Sequence, residues 1–166
     1  MRIDGNEAVT LAQREDAARH SFERGKALAE AGDWRGALEC FQTATYKLPS
    51  SHYLYPFYLS CEGLAMVHLN APGGLDLCRR AAAMADAGPD VFENLARAEL
   101  ASNHRWAALL AIRAGLNIDD SHEGLVALRR AIGIRRPPPL RFLRRDHLLN
   151  RVIGRLTYKA FHSTGD

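Results

Sequence analysis

Alanine and leucine recur along this chain at spacings of three and four, and no stretch alternates apolar with polar residues as a half-buried strand does. Short breaks interrupt that helical period. One face carries Ala18, Phe22, Gly25 and Ala29 and stops at Gly32. The next opens at Asp33-Trp34, runs through Ala37, Phe41, Ala44 and Leu48, and ends at Pro49-Ser50-Ser51. Proline cannot continue a helix and disfavours helix in the residue before it. Two helices joined by a turn of two or three residues lie antiparallel, so the expected class is all-α, built from helix–turn–helix pairs.

The pair recurs further on. Asp90, with Glu93 three residues later, has the spacing of a capping box, and Val91, Leu95 and Ala98 form the face that follows. After a turn at Ser102-Asn103 comes a stripe of Trp106, Ala107, Ala111 and Ala114. Ala37 and Ala107 stand 70 residues apart, or about two periods of 35, which is a helical-repeat spacing. Between them a helix opens at Leu54–Pro56, where proline suits the first turn, and Gly63 offers a small residue on it. After the Asn70-Ala71-Pro72-Gly73 turn, Gly74-Leu75-Asp76 mimics Ala37-Leu38-Glu39, and Ala81 matches Ala44. Asp120 and Glu123 suggest one more cap ahead of a Leu125, Leu128, Ile132 stripe. The Arg135-Arg136-Pro137-Pro138-Pro139 run then favours an extended segment before an amphipathic stretch over 140–161, with Leu149, Val152, Ile153, Leu156 and Ala160 on one side. About eight helices are expected.

In residues 18–51 these features resemble the tetratricopeptide repeat (TPR) family. Gly25, Ala37, Phe41, Ala44 and Pro49 fall in that motif's register, together with the Gly32-Asp33-Trp34 turn, while Ser21 replaces its usual tryptophan. The physical logic is small residues where helices cross closely and a large one filling the gap between neighbours. The resemblance extends over about 100 residues of the 166, with units near 18–51, 53–87 and 88–121. The third unit keeps Ala107 and Ala114 but has Leu95, Ala111 and Asp119 at other motif positions. The resemblance implies a right-handed superhelix of about three pairs. Residues 1–134 would form the repeat domain, and the proline-interrupted basic segment 135–166 a helix that caps it, since terminal repeats need covering.

In that family the first helix of each pair lines a concave groove. By position this implies Phe22 and Phe92 as equivalent groove residues flanked by Lys26 and Glu99, with Tyr53 and Phe57 at the start of the middle first helix. Aromatic residues in such a groove are the usual binding anchors. Phe22 and Lys26 stand where the family's carboxylate-binding variant has a basic residue and an asparagine, which argues against that specialisation. The implied function is a non-enzymatic adaptor that takes a peptide or protein segment. A narrower version is a type III secretion translocator chaperone, which is of similar size and repeat content.

Charge offers a second class of function. The whole chain is +3. From Arg135 to Lys159, however, eight basic residues face a single acid, Asp146, so a basic strip follows an acidic body. Arg141, Arg144, Arg145, Arg151 and Arg155 could meet phosphates of a nucleic acid or an anionic surface.

Nothing points to chemistry. The seven histidines include no i, i+4 pair, no Cys-x-x-Cys exists, and Cys61 and His68 are too far apart to share a metal. No glycine-rich phosphate loop, serine elbow or paired-carboxylate motif appears, so neither catalysis, cofactor nor metal is expected. Cys40, Cys61 and Cys78 are too few and too widely spaced for a disulfide framework and suit a reducing compartment. With no apolar run near a membrane span and a polar N-terminus, the expectation is a cytoplasmic protein. Nineteen arginines against three lysines resemble the usage of a GC-rich bacterial genome.

Overall fold

A computed structural model of the chain describes residues 5–132, with side chains from Thr10 onward. The described residues form seven α-helices and no strand: α1 (Gly5–Glu30), α2 (Trp34–Lys47), α3 (Tyr55–His68), α4 (Gly74–Ala82), α5 (Pro89–Ala101), α6 (Arg105–Ile118) and α7 (Glu123–Ile132). None of them is long and apolar enough to cross a membrane. By its contacts the chain divides into two units between Ala131 and Ile132. The expected proline break, the basic stretch 140–161 and all five candidate arginines there lie outside the described residues.

Local chemistry sets the helix ends. Asp33 caps α2, its Oδ1 accepting the Gly36 N–H at 3.0 Å. Pro56 occupies the first turn of α3, where a missing N–H costs nothing. Gly73 enters α4 at φ +84°, a left-handed conformation that residues with a Cβ adopt only at a cost. Two expected caps are corrected. Gly88, not Asp90, precedes α5, because Pro89 supplies the pre-set first position; Asp90 sits inside the first turn and turns to His122. At α7 the Asp119 carboxylate, rather than Asp120, folds the loop by accepting from Ser121 N–H at 3.0 Å and Ser121 Oγ at 2.6 Å. Those two bonds hold the Asp119 carboxyl below the usual carboxylate range.

Contacts between helices run antiparallel within each pair. Along α1 and α2, Leu28 meets Gly36, Gly25 meets Phe41, and Ala17 accepts from Lys47 Nζ. Gly63 of α3 lies against Gly74 and Cys78 of α4, and Phe92 of α5 against Gly115 of α6. These crossings need small residues, since any side chain would hold the backbones apart. Ala37, Ala44 and Cys78 are fully buried. One cluster joins α1, α2 and α3 around Phe22, Phe41 and Tyr58, and others join α3, α4 and α5 through Leu59, Ala81 and Val91 and through Leu64, Cys78 and Ala98.

The third pair sits one residue out of the expected register. Its buried positions include Ala96, Ala108, Ile112 and Gly115, each 71 residues beyond Gly25, Ala37, Phe41 and Ala44. Ala107 and Ala114 are only half-buried, and Trp106 is 73% exposed. Alanine is small enough to suit either register; in the structure Ile112 takes the place that Phe41 fills in the first pair. Leu125 of α7 is fully buried beside Gly115.

Candidate functional site: a groove between α1, α3 and α5

The first helices of the three pairs line a groove of about 360 Å³. Phe22, Phe41, Phe57 and Leu64 supply its apolar surface, with Cys61 and Asn94 between them. Lys26 and Glu30 of α1, Trp34 of α2, and Asp90, Glu93 and Arg97 of α5 also line it.

Phe22 anchors the site. Its ring stacks on Tyr58 at 4.4 Å and 8°, and packs 5.2 Å from Phe57 and 5.5 Å from Phe41. This packing leaves Phe22, Phe41 and Tyr58 buried in the core at 7%, 4% and 3% exposure, with Phe57 the partly open ring of the cluster. Asn94 is buried and donates from Nδ2 to Ser60 Oγ at 2.9 Å and to Cys61 Sγ at 3.3 Å. With both amide hydrogens committed, the side chain has its carbonyl oxygen left as an acceptor. Burial pushes the Cys61 thiol up to about 12 despite the hydrogen bonds from Asn94 and Ser60. A thiol of that kind stays neutral and is inert as a nucleophile.

The charged walls differ. Glu93 Oε1 pairs with Arg97 at 2.5 Å, whereas Lys26 makes no ion pair among the described residues. His68 stacks on Trp34 with centroids 3.8 Å apart and planes 4° apart. Burial, aided by the charge of Arg97, holds the His68 imidazole below its ordinary pKa, which favours the neutral ring in that stack. At one end His122 Nε2 lies 3.2 Å from Asp90 Oδ1, and its Nδ1 3.7 Å from Glu93 Oε2.

Of the residues singled out from sequence, Phe22, Lys26 and Phe57 line this groove together. Phe92 instead packs against Gly115, because the one-residue register change turns it toward α6. Glu99 is buried away from the groove, accepting from Arg79 Nε at 2.9 Å and Nη2 at 3.2 Å and lying 2.9 Å from His104 Nδ1. Tyr53 is 64% exposed and packs on His52. Sequence reasoning missed Trp34, Asn94 and Arg97 as lining residues and read Glu93 only as a cap partner. The 71-residue offset would have found two of these, since it carries Phe22 onto Glu93 and Lys26 onto Arg97.

No family model matches the chain, and no curated protein matches it either.

Proposed function

We propose that this chain is a tetratricopeptide-repeat protein that binds a peptide or protein segment, without catalysis, in the groove between α1, α3 and α5. The observation that carries the reading is the groove itself. It combines an aromatic surface with polar groups on both walls, which suits an extended segment placing an apolar side chain against Phe22 and Phe57. The repeat assignment draws support from small residues at each crossing and from the 71-residue offset that relates the first and third pairs. The inert Cys61 thiol fits binding better than covalent chemistry, and three free cysteines fit the reducing conditions of a cytoplasm.

The test is selection of binders from a displayed random-peptide library, followed by affinity measurement on Phe57→Ala, Lys26→Glu and the distant Tyr53→Ala. Loss of a large apolar anchor should weaken binding by about 2 kcal/mol or more, roughly thirtyfold. Tyr53→Ala should leave affinity unchanged. If no peptide is enriched, or if Phe57→Ala and Tyr53→Ala bind alike, the groove is not the binding site.

A further inference from the structure

Asp90, Glu93 and His122 converge from two parts of the chain. Asp90 and Glu93 lie three residues apart in the first turns of α5 and so share a face, and His122 immediately precedes α7. One ligand-type atom from each, a carboxylate oxygen, a second carboxylate oxygen and an imidazole nitrogen, lies within 4.8 Å of the other two. We infer that these three side chains form a binding site for a divalent transition-metal cation that ties α5 to the start of α7. This inference does not depend on the peptide-binding reading.

The donor set selects the class of ion. One nitrogen and two oxygens suit zinc and its neighbours cobalt, nickel and manganese, whereas calcium takes six to eight oxygens. Metal–ligand bonds of ~2.0–2.2 Å place tetrahedral ligands about 3.4 Å apart. His122 faces the two acids with different nitrogens, Nε2 toward Asp90 Oδ1 and Nδ1 toward Glu93 Oε2. Nδ1 also accepts the Leu125 N–H at 3.4 Å, so closing all three on one ion requires the imidazole to turn and give up that bond. The Glu93 carboxylate is fixed from two sides. Arg97 takes Oε1 at 2.5 Å, leaving Oε2 toward His122. On the other side the carboxylate lies so close to Gly124 that a Cβ there would collide with it; a glycine at the second position of α7 is what makes room for this acid. The Arg97 charge lowers the affinity but does not remove the site, because Asp90 carries a second full charge and its side chain is 59% exposed. Asp90 and Glu93 also line the groove, so the fourth coordination position has space for water or for a ligand atom. The three residues are separated in sequence by up to 32 positions, which is why no metal-ligand spacing is visible there.

The experiment uses the full chain, stripped with chelator and dialysed. Zinc chloride is titrated calorimetrically and cobalt chloride by visible absorption. The expected result is one saturable site tighter than about 100 μM, with cobalt bands of a low-coordinate N/O centre. Asp90→Asn and His122→Ala should each weaken it at least about tenfold, while His20→Ala, at an exposed position on α1, should not. Asp90 is exposed, so Asp90→Asn tests the site even if His122→Ala disturbs α7. Absence of saturable binding, or binding that survives Asp90→Asn unchanged, overturns the assignment and sends any metal to histidines elsewhere in the chain.

Discussion

Replacing Gly63 by alanine sets two opposed effects against each other at one crossing. Alanine is the better helix former by about 1 kcal/mol, so at an open position the change would stabilise α3. At Gly63 a Cβ would lie 2.7 Å from the Gly74 carbonyl oxygen, 2.9 Å from the Cys78 nitrogen and 2.7 Å from Cys78 Sγ. Two of those three atoms are backbone of α4 and cannot swing away, so α3 and α4 must separate. Overpacking typically costs ~1–3 kcal/mol, and a backbone clash belongs at the upper end. After the gain in helix propensity, a net loss of about 2 kcal/mol is expected. For a domain of this size that lowers Tm by roughly 6–10 °C. Thermal denaturation followed by circular dichroism at the helical band reads it directly. Gly73→Ala separates sterics from backbone strain: it sits at φ +84° with nothing within 4 Å, so it should cost only the ~1–2 kcal/mol of a left-handed residue. An unchanged or raised Tm in Gly63→Ala would refute the close α3–α4 approach.

Ala108→Leu should destabilise by about 1–3 kcal/mol, whereas Ala107→Leu, one residue away and half-buried, should stay within ~0.5 kcal/mol; equal effects in chemical denaturation would return the third pair to the other register. Arg79→Ala should cost more than Glu99→Gln. The first leaves a buried carboxylate with only His104 beside it, about 2–4 kcal/mol, while the second leaves a guanidinium that is 47% exposed and free to hydrate; the reverse order in urea midpoints would count against the network. His68 has a folded pKa below its ordinary ~6.5, so below that pH the unfolded chain binds more protons. Stability should therefore fall as pH drops from about 6.5 toward the folded pKa, and stay flat in this respect above it. Tm measured across that window for the native chain and His68→Gln should diverge only on the acid side, and parallel curves would contradict the stacked neutral imidazole.

The elements that were legible in the sequence are those where one residue type has one use. Asp33 before Trp34, Pro49 after Leu48, Pro56 in a first turn and Gly73 ahead of α4 each mark a boundary, because capping, a missing N–H or a positive φ leaves little choice. Asp90 and Asp120 misled for the same reason in reverse. An acid near a helix start is a cap only if it stands at the boundary itself, and Pro89 and the Asp119–Ser121 turn had already fixed those boundaries elsewhere. The Arg79–Glu99–His104 network around the buried Glu99 carboxylate and the Asp90–Glu93–His122 cluster were not readable. Each joins positions whose closeness depends on how helices stack, and sequence separation carries no trace of that.

The register of α5 and α6 shows how small an error redraws a site. Helix positions turn by about 100° per residue, so counting 70 rather than 71 between pairs leaves the helices in place yet changes which side chain faces the groove. With 70, Phe92 stands opposite Phe22 and the groove has matching aromatic walls. With 71, Glu93 takes that position and Arg97 that of Lys26, while Phe92 turns away to cover Gly115. The four alanines at 107, 108, 111 and 114 could not decide between the two, since each fits a close crossing. In the structure Ile112 marks the inward side at 2% exposure, but size alone does not settle the register, because Trp106 and Leu110 of the same helix stay 73% and 51% exposed. The result is an asymmetric groove, with aromatic rings beside Lys26 and Glu30 on the α1 and α3 side and Asp90, Glu93 and Arg97 along α5. Under the proposed binding reading, an extended segment would meet Phe22 and Phe57 on one flank and the charges of Asp90, Glu93 and Arg97 on the other.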